Sequence, residues 1–531
     1  MRILICDELH SSAVDVFESH GFTPEIRTGM TEAELIAAVP GVNALVIRSA
    51  TKVTRAVIEA ADSLQVVGRA GVGVDNVDTD AASERGVVVM NTPTGNTTTT
   101  AELAIALITS LARHLPRADR TTRSGSWSKK GLMGTELTGK CLGVVGLGRI
   151  GRVVAERGMG LAMNVIAADP YLTKTGAGSP VAGVDLLELD DLLARADFVS
   201  LHIPLMDSTR GLISEERIAK MKPGARLINA ARGGLIDEAA LAVALDEGRL
   251  AGAALDVLAE EPPSDDHPLM GRDDVILTPH LGASSHEAQR NVAVQVADQI
   301  SAFFRDGVAN NAINAPALPA KALRELTPYI RLAEKMGSFL AQRCEEPIRK
   351  IELTFTGEIV SREAKYLELA FTAAVLRHGL GRPVNFVNAP LLAKERGLRV
   401  LHSEEIEPSF FTNRLKARVS SKGGSASHVV SGTTYGDEPR FTRIDEIHVD
   451  IAPAGHMLVT RHTDSPGVLG KLGTILGEAG VNIRRVELGP PTQASGGYAA
   501  AFLTMYSSPN AKVMDSLREL EPVEHVQLIE L

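Results

Sequence analysis

One short motif constrains the fold of this chain more than any other feature. The glycine-rich run Gly146-Leu147-Gly148-Arg149-Ile150-Gly151 follows the apolar run Cys141–Val145, which is typical of a buried parallel strand. A helical pattern begins directly behind the motif at Arg152, and a second apolar run ends at Asp169, roughly 20 residues downstream. Strand, glycine turn, helix and acid in this order predict a dinucleotide-binding βαβ unit.

The same motif predicts the cofactor. Gly146, Gly148 and Gly151 permit a tight turn and let the backbone approach a pyrophosphate at the helix N-terminus. Asp169 would accept hydrogen bonds from ribose hydroxyls and repel a 2′-phosphate, and neither Arg nor Lys occurs in the next three residues. These features favour NAD over NADP. The motif on its own would also be compatible with a glycine-rich turn that binds nothing.

Length and charge exclude several classes of protein. A chain of 531 residues is expected to divide into about three or four domains. The net charge of −10 and the lack of basic runs argue against nucleic acid or an anionic membrane as partner. No apolar run is long enough to span a bilayer, and the N-terminus does not resemble a signal peptide. We expect a cytoplasmic protein with reduced cysteines and no bound metal.

Hydrophobic patterning predicts an α/β protein with two Rossmann-like βα domains. The helix predicted at His286–Phe304 would return to the first domain, making it discontinuous around an inserted NAD domain. A stretch rich in Asn, Ala and Pro, Asn310–Ala322, is predicted to be a linker. An α+β intervening unit precedes a β-α-β-β-α-β tail with the ferredoxin-like order. The predicted limits are 1–96 and 286–314 for the substrate-binding domain, 97–285 for the NAD domain, 315–452 for the intervening domain and 453–531 for the tail.

Three polar residues follow predicted strands of the NAD domain, where open α/β sheets bind ligands. Arg232 precedes a Gly-Gly turn, Glu261 precedes two prolines, and His280 follows Thr278-Pro279. A histidine can accept the hydroxyl proton during hydride transfer, and a carboxylate can orient the imidazole. A guanidinium can clamp the carboxylate of a 2-hydroxy acid. In the reverse reaction it can polarise the carbonyl group of the oxidised product. We therefore propose Arg232, Glu261 and His280 as catalytic residues.

Each of these residues also has a non-catalytic interpretation. Arg232 could be an ordinary solvated residue after a strand, Glu261 could face water beside Glu260, and His280 could cap the following turn. Their joint placement at three strand ends of one dinucleotide domain favours catalysis.

The chain resembles the D-isomer-specific 2-hydroxyacid dehydrogenases, and within them the long forms that act on 3-phosphoglycerate and end in an ACT domain. The motifs that carry this resemblance are Gly71–Asp78, Asn91–Pro93, Gly146–Gly151, Asn229–Gly234, Ala253–Val257, Glu260–Pro262 and Thr278–Ala283. The resemblance implies that Arg232, Glu261 and His280 form the catalytic set. The implied NAD contacts are Arg149, Ile150, Asp169, Pro204, Ala230, Arg232, Asp256, His280, Gly282 and Ala283. Ile203 departs from the Thr that is common in relatives, so a side-chain hydrogen bond to the cofactor is absent there.

The resemblance implies 3-phosphoglycerate as the substrate and 3-phosphohydroxypyruvate as the product, in the first step towards L-serine. A phosphorylated 2-hydroxy acid needs cationic groups beyond Arg232, and Arg48 and Arg69 follow strand-like runs of the first domain. Relatives use such positions together with the amides around Gly71 and Val72. Surface arginines in a βα loop remain the alternative for both residues. A homo-oligomer, dimer or tetramer, is expected.

The tail resembles the ACT domain, which binds small amino acids between paired copies. Gly467 places backbone N–H groups at a helix start, where a carboxylate can bind. The resemblance implies L-serine as a feedback inhibitor that contacts Asp464, Asn482 and His462. His462 stands where similar long forms have Tyr, and a dimerisation unit without a ligand is the alternative.

Three competing functions remain at the level of sequence. Another D-2-hydroxy acid, such as glyoxylate or 2-hydroxyglutarate, would suit the same motifs. A redox-sensing transcriptional corepressor would need a basic or disordered recruiting segment, which this chain lacks. An inactive ligand-sensing scaffold would need a broken catalytic set, and all three residues are in place.

Overall fold

Four β-sheets organise the residues that the computed structural model describes. The described residues are 1–531 without 177, 317–319, 359–362, 381–382, 406–410, 422–426 and 492–496. Part of the predicted linker, 317–319, lies outside them.

The first sheet is parallel and has the strand order β2-β1-β3-β4-β5. Its strands and helices are β1 (Ile3–Ile5), α1 (Ser12–Ser19), β2 (Glu25–Ile26), α2 (Glu32–Ala38), β3 (Ala44–Ile47), α3 (Arg55–Ala60), β4 (Val66–Arg69), α4 (Thr79–Arg85) and β5 (Val88–Asn91). Every residue of β3 is buried, since helices cover both faces of the sheet. This is the first βα domain.

The second sheet is also parallel, with the strand order β12-β11-β10-β9-β6-β7-β8. Its elements are α5 (Thr97–Ala112), α6 (Leu115–Arg123), β6 (Cys141–Val145), α7 (Arg149–Gly160), β7 (Asn164–Ala168), α8 (Pro170–Thr175), β8 (Asp185–Leu186), α9 (Leu189–Arg195), β9 (Phe198–Leu201), α10 (Glu215–Lys220), β10 (Arg226–Asn229), α11 (Glu238–Asp246), β11 (Gly252–Leu255) and β12 (Val275–Leu277). The strand order reverses between β6 and β9, which is where doubly wound sheets bind their ligands.

A long helix, α12 (His286–Asp306), returns from the second sheet to the first. Its Val296 and Ile300 lie against Gly68 of β4, where a Cβ would come within 2.6 Å of both side chains. Only a glycine lets the helix pack this closely on the strand. The predicted fold class, with a discontinuous first domain around an inserted dinucleotide domain, is confirmed.

The third sheet is mixed, with the order β14-β13-β15-β16-β17-β18, and β13 and β14 are its parallel pair. Its elements are α13 (Ala320–Arg343), β13 (Ile348–Thr356), α14 (Ala364–Gly379), α15 (Ala389–Glu395), β14 (Arg399–Glu405), β15 (Arg414–Ser421), β16 (Ser427–Tyr435), β17 (Glu438–Ile444) and β18 (Ile447–Ile451). Helix α13 begins inside the predicted linker, so the prediction extended the linker too far at its C-terminal end. The run Ala320-Lys321-Ala322 consists of good helix formers, which explains the difference.

The fourth sheet is antiparallel, with the order β20-β21-β19-β22. Its elements are β19 (His456–Thr463), α16 (Val468–Glu478), β20 (Ile483–Gly489), β21 (Tyr498–Met505), α17 (Ala511–Arg518) and β22 (Val523–Glu530). This is the β-α-β-β-α-β order predicted for the tail. Gln342 of α13 bonds to the backbone of Glu530 and to Gln527, which joins the third and fourth units.

No helix in the described ranges is long and apolar enough to cross a membrane. For the limits of the units, we propose the division predicted from sequence: 1–96 with 286–314, then 97–285, 315–452 and 453–531.

Candidate active site

A cleft of about 570 Å³ lies between the first and second sheets, at the carboxyl ends of their strands. Many of the predicted site residues share it. The predicted residues that line it are Arg48, Arg69, Gly71, Val72, Arg149, Ile150, Pro204, Ala230, Arg232, Asp256, Glu261, His280, Gly282 and Ala283. Gly146, Gly148, Gly151 and Asp169 belong to the adjoining turn after β6 and to the end of β7.

The three glycines of the turn have different geometric roles. Gly146 has φ +93° and lies close to His202. A Cβ on Gly146 would be 2.6 Å from the carbonyl oxygen of His202. A Cβ on Gly151 would lie 2.0 Å from the carbonyl oxygen of Gly146, so the helix can pack against the turn only with glycine there. Nothing among the described residues lies within 4 Å of a Cβ on Gly148, which caps the N-terminus of α7. This open space at a helix N-terminus fits a pyrophosphate.

Asp169 shapes the other end of the same site. Its Oδ1 accepts hydrogen bonds from the N–H groups of Tyr171 and Leu172, and its Oδ2 accepts one from Leu147 at 3.0 Å. The carboxylate thus caps α8 and ties it to the glycine turn. A carboxylate has about four acceptor positions, so capacity remains for a ribose hydroxyl. These residues together fit a dinucleotide with an unphosphorylated ribose.

His280 and Glu261 form a hydrogen-bonded pair on the cleft wall. His280 Nδ1 lies 2.8 Å from Glu261 Oε2, while Glu261 Oε1 accepts the N–H of Leu258. His280 has φ +54°, an uncommon left-handed conformation for a residue with a side chain. Its N–H donates to the carbonyl oxygens of Asp256 and Thr278, which hold this conformation. Because a carboxylate only accepts, Nδ1 carries the proton and Nε2 is the basic atom.

Asp256 organises the loop that carries His280. Its carboxylate is 1% exposed and accepts hydrogen bonds from Thr278 Oγ1 (2.6 Å), Leu281 N–H (2.7 Å) and Gly282 N–H (2.9 Å). Burial raises the pKa of this carboxyl, whereas these bonds and the nearby His280 act in the opposite direction. Asp256 therefore links β11 to the His280 loop.

Arginines give the cleft a cationic wall. Arg232 Nη1 donates to the carbonyl oxygen of Ala231 at 2.7 Å, and its Nε lies 3.2 Å from Asp75 Oδ2. Burial, and then the neighbouring Arg232, lower the pKa of Arg69 to about 10, so Arg69 remains charged near neutral pH. Its buried Nε has no hydrogen-bond partner among the described residues. Such a wall suits an anionic ligand.

The glycines of the first-domain loop make room for these guanidinium groups. A Cβ on Gly71 would lie 2.2 Å from Arg69 Nη1, and a Cβ on Gly73 would lie 2.1 Å from Arg232 Nη2. Arg48 is held by its loop, since its N–H donates to Asp7 and its carbonyl oxygen accepts from Asn76. The glycines thus admit the guanidinium groups of Arg69 and Arg232, and the backbone hydrogen bonds of Arg48 fix the loop that carries its side chain.

Sequence reasoning assigned no role to several residues that line the cleft, among them Asp75 and His202. His202 follows β9, its Nε2 lies 2.8 Å from Ser200 Oγ, and burial lowers its pKa to about 4. Next to it, Ile203 packs its Cγ2 against Gly146, which explains why an apolar residue is tolerated at this position. Asp75 lies within the motif Gly71–Asp78, and its charge two positions after Gly73 was the signal that could have indicated a role.

The predicted effector residues lie in the fourth unit, away from the cleft. His462 is buried on the face of β19 that it shares with Leu458 and Thr460, and Asp464 and Asn482 are exposed. Burial lowers the pKa of His462, so the ring is neutral near pH 7. The described residues contain no group of three or more His, Cys, Asp or Glu arranged for a metal ion.

Comparison with protein-family models gives three matches along the chain. Residues 105–282 match the D-isomer specific 2-hydroxyacid dehydrogenase NAD binding domain, residues 325–445 the D-3-phosphoglycerate dehydrogenase intervening domain, and residues 456–522 the ACT domain.

Several curated proteins are similar to this chain over its whole length or nearly so. D-3-phosphoglycerate dehydrogenase of Archaeoglobus fulgidus is 39% identical and covers 100% of both chains. The protein of that name from Bacillus subtilis is 38% identical, over 100% of this chain and 99% of its own length. That of Mycobacterium tuberculosis is 40% identical over 93% of each chain.

Solved structures match about three fifths of the chain. NAD-dependent formate dehydrogenase of Staphylococcus aureus in complex with NAD has a TM-score of 0.54 and 26% identity, covering 60% of this chain and 100% of that one. D-lactate dehydrogenase of Aquifex aeolicus, complexed with NAD and lactic acid, has a TM-score of 0.52 and 25% identity, again over 60% and 100%.

Proposed function

The chain belongs to the D-isomer specific 2-hydroxyacid dehydrogenase family and is an NAD-dependent dehydrogenase, and we propose that it oxidises 3-phospho-D-glycerate to 3-phosphohydroxypyruvate. This would be the first step of L-serine synthesis. One observation carries the proposal: the His280–Glu261 pair and three arginines, Arg48, Arg69 and Arg232, share one cleft with the dinucleotide turn. The full-length relatives named D-3-phosphoglycerate dehydrogenase support the choice of substrate.

In this proposal the residues around the glycine turn hold the cofactor. The N-terminus of α7 would hold the pyrophosphate, Asp169 the ribose, and the loops at Pro204, Ala230 and Gly282-Ala283 the nicotinamide end. NAD, when bound, supplies a hydride acceptor for the carbon that carries the substrate hydroxyl.

His280 acts as the general base. Its Nε2 removes the hydroxyl proton, while Glu261 holds Nδ1–H and stabilises the positive charge that the ring gains. In the reverse reaction the same atom returns the proton to the carbonyl oxygen. The hydrogen bonds from the backbone N–H of His280 to two carbonyl oxygens fix the backbone that carries the ring, in both directions of the reaction.

Arg232 binds the carboxylate beside the reacting carbon and polarises the carbonyl in reverse. Arg48 and Arg69, with the amides of Gly71 and Val72, bind the remaining anionic groups. Burial of Arg69 strengthens its attraction for an anion, since water screens the charge less.

L-serine is the proposed effector of the ACT unit. Gly467 has φ +90° and caps helix α16, three residues after the exposed Asp464, whereas the exposed Asn482 follows the other end of that helix. In this proposal the serine lies between paired ACT units: backbone N–H groups and Asp464 of one copy would bind its carboxylate and its ammonium, and Asn482 of the other copy would bind either end. Buried His462 would support this site from the sheet.

A homo-oligomer is part of the proposal. Trp127 is 91% exposed and Met133 is 89% exposed, both in the segment between α6 and β6. Two such exposed side chains in one short segment favour burial against a second copy. Light scattering of the wild type and Trp127→Ala measures the assembly. A smaller assembly for the variant is expected, and an unchanged mass would place the interface elsewhere.

A substrate panel tests the proposed reaction. NADH formation is measured with D-3-phosphoglycerate, D-glycerate and D-2-hydroxyglutarate. NADH consumption is measured with glyoxylate, which tests the reverse reaction. D-3-phosphoglycerate should have the highest kcat/KM, and Arg48→Ala should lower its kcat/KM more than that of unphosphorylated D-glycerate. A preference for 2-hydroxyglutarate or glyoxylate would assign another 2-hydroxy acid as the substrate.

A further inference from the structure

An ion pair bridges the two walls of the cleft. Asp75 lies on the loop after β4 of the first domain, and Arg232 lies on the loop after β10 of the dinucleotide domain. Arg232 Nε donates to Asp75 Oδ2 at 3.2 Å. The side chain of Asp75 is 66% exposed and that of Arg232 is 26% exposed. The pair therefore stands where ligand and solvent can reach it.

Most of the guanidinium group of Arg232 is already engaged. Nε donates to Asp75, and Nη1 donates to the carbonyl oxygen of Ala231 at 2.7 Å. Nη2 lies over Gly73, where a Cβ would be only 2.1 Å away, and a Cβ there would also lie 2.6 Å from Asp75 Oδ2. No hydrogen bond from Nη2 occurs within the described residues. Asp75 and Gly73 thus leave Nη2 as the nitrogen that can meet a ligand.

The carboxylate of Asp75 opposes the electrostatic character of the cleft. Arg48, Arg69 and Arg149 line the same space as Arg232, as expected for an anionic substrate. Two other acids line the cleft, and their hydrogen bonds account for their presence. Glu261 binds His280, and Asp256 binds the loop that carries His280. A negative charge near an anionic substrate weakens its binding. Asp75 must therefore contribute something that offsets this loss.

We propose that Asp75 is a positioning residue that acts through Arg232: it fixes the guanidinium across the cleft so that Nη2 faces the substrate. This inference rests on the proposed role of Arg232 towards the substrate carboxylate. The pair also couples the two domains, because Arg232 can take this orientation only while the loops after β4 and β10 face each other. Substrate orientation at the reacting carbon then depends on Asp75, although Asp75 itself binds no part of the substrate.

Two substitutions distinguish the hydrogen-bond acceptor of Asp75 from its negative charge. Asp75→Asn keeps an oxygen that accepts from Arg232 Nε but removes the negative charge. We expect its kcat to stay within about threefold of the wild type and its KM for the hydroxy acid to fall, because repulsion is gone. Asp75→Ala removes the acceptor, and we expect its kcat to fall about tenfold or more, since the guanidinium is no longer held.

The experiment measures steady-state NADH formation by wild type, Asp75→Asn and Asp75→Ala on the D-2-hydroxy acid that the wild type oxidises best. The substrate panel of the wild type tests the proposed substrate. The ratio of the kcat values of Asp75→Asn and Asp75→Ala tests the role of Asp75. Asp80→Ala, an exposed acid on the neighbouring helix α4, is the matched control and should behave as wild type. NADH fluorescence confirms that each variant binds cofactor.

Two results would overturn the proposal. One is a kcat of Asp75→Ala within twofold of the wild type. The other is an equal loss of kcat in both Asp75 variants with KM unchanged, which is what a purely structural residue would give. If Asp75→Ala does not fold, Gly73→Ala provides the test. Its methyl group would clash with Arg232 Nη2 and Asp75 Oδ2 and so break their pairing without removing either side chain. A wild-type kcat there would equally contradict the inference.

Discussion

At the scale of single residues, the cleft depends on polar side chains that have more than one partner. Asp169 accepts three backbone hydrogen bonds and still presents a carboxylate beside the glycine turn. Glu261 holds both Leu258 and His280. Such groups are fixed before any ligand binds, which reduces the ordering needed at the moment of reaction.

Asp169 provides a prediction on cofactor choice. Asp169→Ala removes hydrogen bonds to the ribose, and a hydrogen bond to a charged group contributes about 1.5–3 kcal/mol. We expect KM for NAD to rise roughly 10- to 100-fold and discrimination against NADP to shrink. Kinetics with both cofactors measure this. An unchanged KM for NAD would mean that the ribose binds elsewhere.

His202 provides a prediction on pH. Since burial lowers its pKa to about 4, the unfolded chain binds a proton between about pH 6.5 and 4 that the folded chain does not. Stability therefore falls as the pH falls through this window, by roughly 1–3 kcal/mol for this group. His202→Gln should lose less thermal stability between pH 7.5 and 5 than the wild type. An equal loss in the two proteins would contradict the assignment.

At the scale of elements, the best-predicted parts are those where local pattern and burial agree. The apolar run Cys141–Val145, predicted to be a buried parallel strand, has those bounds in the structure. Apolar runs that are buried on both faces end where the first polar residue reaches the sheet edge, so their limits can be read from sequence.

The sequence was less informative where tertiary contacts decide. The third unit has no motif, and its parallel pair β13 and β14 is separated by two helices, so its sheet order could not be predicted. The pairing of Asp75 with Arg232 joins residues 157 positions apart, and no local pattern indicates it. The position of His462 in the alternating pattern of its strand could be predicted. Its burial could not, because the face that the helices cover depends on tertiary packing.

The contact between helix α4 and the third unit provides a prediction at this scale. Gly86 ends α4 with φ +74°, and Asn385 Nδ2 donates to its carbonyl oxygen at 2.7 Å. A Cβ on Gly86 would lie 2.8 Å from that nitrogen. Gly86→Ala therefore combines a strained φ with a clash, and we expect a loss of about 1–3 kcal/mol.

Thermal unfolding measures this effect against a matched control. The control is Gly307→Ala. Gly307 caps α12 with a similar φ of +70°, and no atom of the described residues would lie within 4 Å of a Cβ there. This substitution should cost less than Gly86→Ala. Equal losses would show that the contact with Asn385 adds nothing beyond backbone strain.

At the scale of the whole molecule, contacts run from the ACT unit to the cleft. Gln342 joins the ACT unit to the third unit, and Asn385 joins the third unit to the end of α4. The first turn of α4 is capped by Asp78, which ends the loop that carries Gly71, Gly73 and Asp75. This continuity gives the proposed serine site a physical route to the substrate loop.

The effector residues can be tested on the full chain. Asn482→Ala should raise the serine concentration for half-inhibition about tenfold or more, because a hydrogen bond to a charged ligand is lost, while activity without serine is unchanged. Glu478→Ala, an exposed acid at the end of α16, is the matched control. Inhibition that is unaltered in Asn482→Ala would place the effector site elsewhere.

The central claim is that His280, oriented by Glu261, moves the proton that accompanies hydride transfer in the cleft. The most direct measurement is NADH formation by His280→Asn at saturating NAD, alongside its NADH affinity by fluorescence. A positioned general base contributes about 10²- to 10⁴-fold in rate, so we predict a loss of that size with NADH affinity changed by less than about threefold. Turnover of His280→Asn within tenfold of the wild type would contradict the account.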